Sequence, residues 1–244
     1  MKTGRTAVLA VVLAWACLAD LDAAAHDLIT AERAQQYLSV IRAQQEVLRA
    51  GAPAGAQAQA AVALGRTLDE IRDLLNRDIA SHGQPQGLPT LFLIQSLRDA
   101  GLPLEISSRL GRYPANLELY RRALALDPDG PASDQARLRL LQGYFYDSFD
   151  REPLKPRGQT WAELQEQMRH AQVLLRAGLP EPDGEEVLFI LAVHRLQAAL
   201  AAPDAASRRG HAARARDAIA QFKARYPDSL RVAALEVLED SVGR

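Results

Sequence analysis

Tyr144, Tyr146, Phe149, Arg151, Lys155, Arg157 and Trp161 bring aromatic rings and cations together in one short stretch of the chain. Rings offer rigid contact area and cations orient an acidic group, a combination that suits recognition of another protein. The same residues also fit a plainer role, in which Phe149 and Trp161 pin a loop over the core. A second basic cluster, Arg208, Arg209, Arg214 and Arg216 around His211, suits an acidic partner or an anionic membrane surface. Its alternative is a solvated turn and helix start.

Catalytic patterns are scarce. His26, His82, His170, His194 and His211 are dispersed, without the His pair at i,i+4 and intervening Glu of a helical zinc protease. His26 would become an amino terminus able to chelate copper, but no further ligands gather around it. His170 reads as helix surface and His194 as a partly buried, hydrogen-bonded residue. Glu181, Asp183, Glu185 and Glu186 crowd a helix start, where negative charge meets exposed backbone amides. Glu70 with Asp73, and Glu163 with Glu166, read as solvated helix faces. No G-x-S-x-G, phosphate-loop, dinucleotide or CxxCH pattern occurs. The expectation is a noncatalytic chain with no cofactor and no metal site.

The elements that position these residues follow a leader. Lys2 and Arg5 precede the apolar stretch Ala7 to Ala16, and Ala23-Ala24-Ala25 offers a small-residue cleavage motif, so residues 1–25 read as a secretory signal. Cys17, the sole cysteine, marks the alternative of a lipid-tethered chain, although Ala14-Trp15-Ala16 lacks the usual leucine three residues before it. Cleavage after Ala25 leaves an exported protein with no disulfide, held by packing alone. The expected location is periplasmic, with no transmembrane span in the mature chain, since no apolar run approaches ~20 residues. The formal net charge of −1 argues against nonspecific nucleic-acid binding. The partner expected is another periplasmic or envelope protein; oligomeric state is left open.

Apolar spacing predicts helices throughout. Thr30 caps the first, with Tyr37, Val40, Ile41, Val47 and Leu48 on one face. Ala61, Leu64, Leu68, Ile71 and Leu75 stripe the second. Leu91, Ile94 and Leu97 face inward on a third, and Pro103 opens another short helix. Leu117 to Leu126 and Asp134 to Tyr146 follow, the latter burying Leu138, Leu141 and Phe145. Residues 147–159 form a central loop. From the Thr160 cap, Trp161, Leu164, Met168, Ala171 and Leu175 mark a helix stopped by Gly178. Asp183 and Glu186 resemble a capping box ahead of Val187 to Val193, which has little polar surface and predicts an inner helix. Ala215, Ala218, Ile219, Phe222 and Tyr226, then Leu230, Ala234, Val237 and Leu238, complete a final pair. No alternating run argues for a sheet.

Tyr120-x-x-Ala123-Leu124-x-Leu126-Asp127-Pro128 resembles the second half of a tetratricopeptide repeat, and Ala218-x-x-x-Phe222-x-x-x-x-Pro227 is similar to it. The phrase Phe222 to Ser229 resembles repeats of periplasmic envelope-assembly and scaffold proteins. The resemblance implies an all-α fold of stacked antiparallel helical hairpins, a divergent TPR-like solenoid, with an irregular helical bundle as the alternative. It covers roughly a quarter of the mature chain, with no convincing first-half pattern. Residues 26–146 and 160–244 are expected to flank the central loop as helical regions packed into one continuous domain. The functional expectation is an exported adaptor or scaffold; the alternatives are an accessory or maturation subunit of a periplasmic enzyme complex, or a stand-alone enzyme.

Overall fold

The computed structural model describes residues 29–148, 154 and 160–242. Among these the chain is all-α, with nine helices and no sheet; the one β-bridge pairs Ser107 with Arg112. It divides into compact units at 25–143 and 144–244.

In the N-terminal unit, helix α1 (Ala31–Arg49) starts where Thr30 Oγ1 accepts the Arg33 amide at 3.2 Å. A four-residue connection turns the chain into α2 (Ala54–His82), which ends on Gly83 at φ 78°. That left-handed backbone favours a residue without Cβ. Helix α3 (Leu88–Asp99) returns beside α1, and Gln45 donates to the Ala100 carbonyl at 2.9 Å. Ile29, Leu38 and Ile41 meet Leu64, Leu68, Ile71 and Leu75 of α2 and Leu93 and Leu97 of α3 in one core. The second-helix stripe is buried as its spacing predicts, whereas Val40 is exposed.

Two expectations fail here. Leu93, with Leu97, forms the inward face of α3, while Leu91 points outward. Apolar residues at 88, 91, 92, 93, 94 and 97 surround this short helix, so its periodicity does not choose a face. No helix opens at Pro103: Leu102 and Leu104 pack against the core from a nonhelical segment, and Asn76 clamps Tyr113 through its amide and carbonyl at 2.8 and 2.9 Å. Side-chain amide bonds thus satisfy backbone groups that a helix would otherwise pair.

Helix α4 (Glu118–Leu126) presses the fully buried Tyr120 onto α2. A Cβ on Gly65 would lie 2.8 Å from Tyr120 Cζ, so glycine is what admits the ring. Tyr120 donates to Asp69 at 2.5 Å, and Arg72 pairs with the other carboxylate oxygen at 2.8 Å. Burial raises the Asp69 pKa against the opposing pull of Arg72 and of the Tyr120 hydrogen bond. Helix α5 (Ser133–Ser148) begins in this unit, where Leu138 and Leu141 are buried.

The C-terminal unit takes up the chain at Tyr144. Its first full helix, α6 (Trp161–Ala177), has a reciprocal capping box between Thr160 and Glu163 and stops at Gly178, φ 77°. Helices α7 (Asp183–Ala201), α8 (Ala205–Arg225) and α9 (Arg231–Val242) follow. Helix α7 packs against each of the other three, which is why Val187 to Val193 is so apolar. Leu164, Met168 and Leu174 cover it from α6, Ile219 and Phe222 belong to the buried face of α8, and Leu235 and Leu238 to that of α9. Leu230 lies outside α9 and is exposed. Among the described residues, no helix is long and apolar enough to cross a membrane.

Candidate functional site

The acidic cluster ahead of α7 is a joint. The Asp183–Glu186 capping box is absent: Pro182 occupies the cap, Asp183 is already helical, and Glu181 reaches in from outside to accept the Glu185 amide at 3.1 Å. Glu181 also accepts from Tyr226 at 2.5 Å and pairs with Arg225 at 2.9 Å, which ties the end of α8 to the start of α7. Ser229 donates to Glu185 at 2.7 Å. Burial, with the bond to Glu181, pushes the Tyr226 phenol up to about 12. These carboxylates are committed to holding helices together.

Tyr144 is half-buried near the end of α5. Tyr146 is 44% exposed, and its hydroxyl donates to Glu186 at 2.5 Å. Burial and then the Glu186 charge raise its pKa. Between them Phe145 is a core residue, edge-on to Phe189 at 5.9 Å and to His194 at 5.7 Å. Phe149, Arg151, Lys155 and Arg157 lie outside the described residues.

Trp161 opens α6 and stands edge-on against His211 of α8, with ring centroids 5.5 Å apart. The structure therefore joins two candidates that the sequence lists separately, the aromatic stretch and the basic cluster. A third helix contributes Arg195, whose guanidinium donates to the Arg214 carbonyl at 2.9 Å. Burial, then Arg214, disfavours the Arg195 charge, with Asp217 opposing. His211 is likewise held below its ordinary pKa by burial, Arg214 and Arg195, and its shielded Nδ1 has no hydrogen-bond partner. One aromatic face and three groups able to carry positive charge converge here, with Asp217 the nearby anion. Arg208, by contrast, turns back to bond the Ala202 carbonyl at 3.0 Å.

Arg195 is absent from the sequence-based candidates. A signal was present: it is the only Arg or Lys in α7, following eight residues without formal charge. His194 is completely buried, its Nδ1 2.7 Å from Gln197 Oε1 and its Nε2 without a partner. Burial lowers its pKa to about 4. Among the described residues no group of three or more His, Cys, Asp or Glu is arranged to hold a metal ion.

No protein-family model, curated protein or solved structure matches the chain.

Proposed function

We propose that the chain is an exported, noncatalytic adaptor that takes hold of an acidic segment of another envelope protein across Trp161, Arg195, His211 and Arg214. The observation that carries this reading is the convergence of cations from two helices on one aromatic face, with like charges close enough to depress one another. A carboxylate entering there relieves that repulsion and gains charge-assisted hydrogen bonds. The succession of α6, α7, α8 and α9, with α7 touching the other three, supports a divergent repeat-like stack that presents such a face.

Trp161 supplies the readout, since Trp15, in the leader, is the only other tryptophan. Titrating the leader-free protein with a Glu-rich peptide should change Trp161 fluorescence, with an affinity that falls as salt rises. Arg214→Glu should weaken the peptide by about tenfold or more, equivalent to about 1.4 kcal/mol. Binding that is indifferent to Arg214→Glu would sink the proposal. The accessory-subunit reading uses the same surface and differs in requiring that the chain restore activity to the enzyme it binds.

A further inference from the structure

A second surface, in the N-terminal unit, has the opposite chemistry. Leu88, Leu91 and Phe92 follow one another at i, i+3 and i+4, so they share one face of α3. They are 81%, 52% and 52% exposed, while Thr90, Leu93 and Leu97 take the inward face. The surrounding sequence is neutral: between Asp78 and Arg98 there is no Asp, Glu, Lys or Arg, in a chain of which 24% is charged. Gly83, Gln84, Gln86 and Gly87 of the preceding turn are exposed and neutral as well. His82, at the edge of this stretch, pairs with Asp78 at 3.0 Å.

The bond from Gln45 to the Ala100 carbonyl sets the register of this face. The connection 83–87 reaches at most about 20 Å and cannot retrace the length of α2, so with Ala100 beside Gln45 helix α3 runs the same way as α1. Counting back from that bond places Leu88 level with the first turn of α1, near Ile29, the buried residue at which the chain enters the unit. The uncharged apolar face therefore lies at the end where the leader joins. The apolar run of the leader ends at Ala16, and the residues from 17 to 28 can span at most about 40 Å.

We propose that Leu88, Leu91 and Phe92 form a bilayer-resting face, which meets the lipid interface while the uncleaved leader is still attached, or in the lipid-tethered form, in which a lipid at Cys17 rather than cleavage after Ala25 holds that end of the unit to the membrane. A membrane suits the face because interfacial insertion asks for exposed apolar side chains with no charge to desolvate. Three side chains are too few to hold the chain by themselves. Stable attachment takes a second signal, which the leader end provides.

The test uses the chain from His26 onward, which retains every described residue and has no cysteine. An amino-terminal histidine tag holds it on phosphatidylethanolamine–phosphatidylglycerol vesicles containing a nickel-chelating lipid. An NBD fluorophore on Leu91→Cys should shift to the blue on vesicle capture, and one on Glu70→Cys, exposed on α2, should not. Adding Leu88→Ser and Phe92→Ser should abolish the shift with helicity unchanged. No shift at position 91, or equal shifts at 91 and 70, overturns the proposal. A blue shift without lipid also overturns it: one that grows with protein concentration assigns the face to a second copy, and one evoked by a peptide of residues 1–25 assigns it to the leader itself.

Discussion

The Asp69–Tyr120 pair of the N-terminal unit and the His194–Gln197 pair of the C-terminal unit are both withdrawn from water, but they are completed differently. Asp69 has a partner for each carboxylate oxygen, Tyr120 on one and Arg72 on the other. Since Gln197 Oε1 accepts, His194 Nδ1 carries the proton, and Nε2 presents a lone pair with nothing to receive. A buried polar group that is fully bonded fixes its neighbours; one half bonded retains part of its desolvation cost. Tyr120 therefore locks α4 to α2, whereas His194 is a weak point in a well-packed interior.

Breaking the first pair should have the largest effect. Asp69→Ala leaves the buried Tyr120 hydroxyl without its acceptor, while Arg72 keeps its pairing with Asp73 at 2.8 Å, and should cost about 2–3 kcal/mol in urea unfolding. Replacing both His194 and Gln197 by Leu should change stability by no more than about 1 kcal/mol, because both partners leave together. Equal losses would erase the distinction.

Acidification sharpens the contrast, because the two groups respond with opposite sign. His194 falls from 6.5 to about 4 in the folded chain, so between these values the unfolded chain binds the extra proton. Stability that is complete above pH 6.5 should decline by about 3 kcal/mol as pH drops to 4. Asp69 is raised instead, so its contribution grows as pH falls through its folded value. Hydrogen exchange at pH 7 and 4.5, corrected for intrinsic rates, should show α7 losing protection and α2 keeping it.

Gly65→Ala should cost about 1–3 kcal/mol by forcing Tyr120 off α2. Tyr146→Phe should cost at most about 1 kcal/mol, since the bond to Glu186 is made at a partly exposed residue. Thermal unfolding of both variants would rank them, and the reverse order would mean that the end of α5 is held more tightly than Tyr120.

What was legible in the chain was local. Thr30 and Thr160 announce their caps because donor and acceptor are three residues apart, and the stripe Leu64 to Leu75 announces its buried face by repetition. Val187 to Val193 reads as an inner helix because nothing polar interrupts it. Asp183 reads as a cap because the sequence does not show that Glu181, held in place by Tyr226 and Arg225 more than forty positions later, takes the Glu185 amide instead. Gly65 and Tyr120 are distant in sequence, and Asp69 resembles any other acidic helix residue until that ring arrives. For the candidate site, Trp161 and His211 were each visible, but their meeting depends on how α6 packs with α8, which no spacing within either helix reveals.

The packing around α7 also has a consequence for the order in which the molecule is made. Helix α9, its last cover, is the final helix described in the chain, ending at Val242. Throughout synthesis, and any passage across a membrane in an extended state, Val187 to Val193 remains an uncharged adhesive segment awaiting residues not yet delivered. A chaperone holding the growing chain would find its best grip there, and a chain truncated before Arg231 would keep that grip exposed and aggregate.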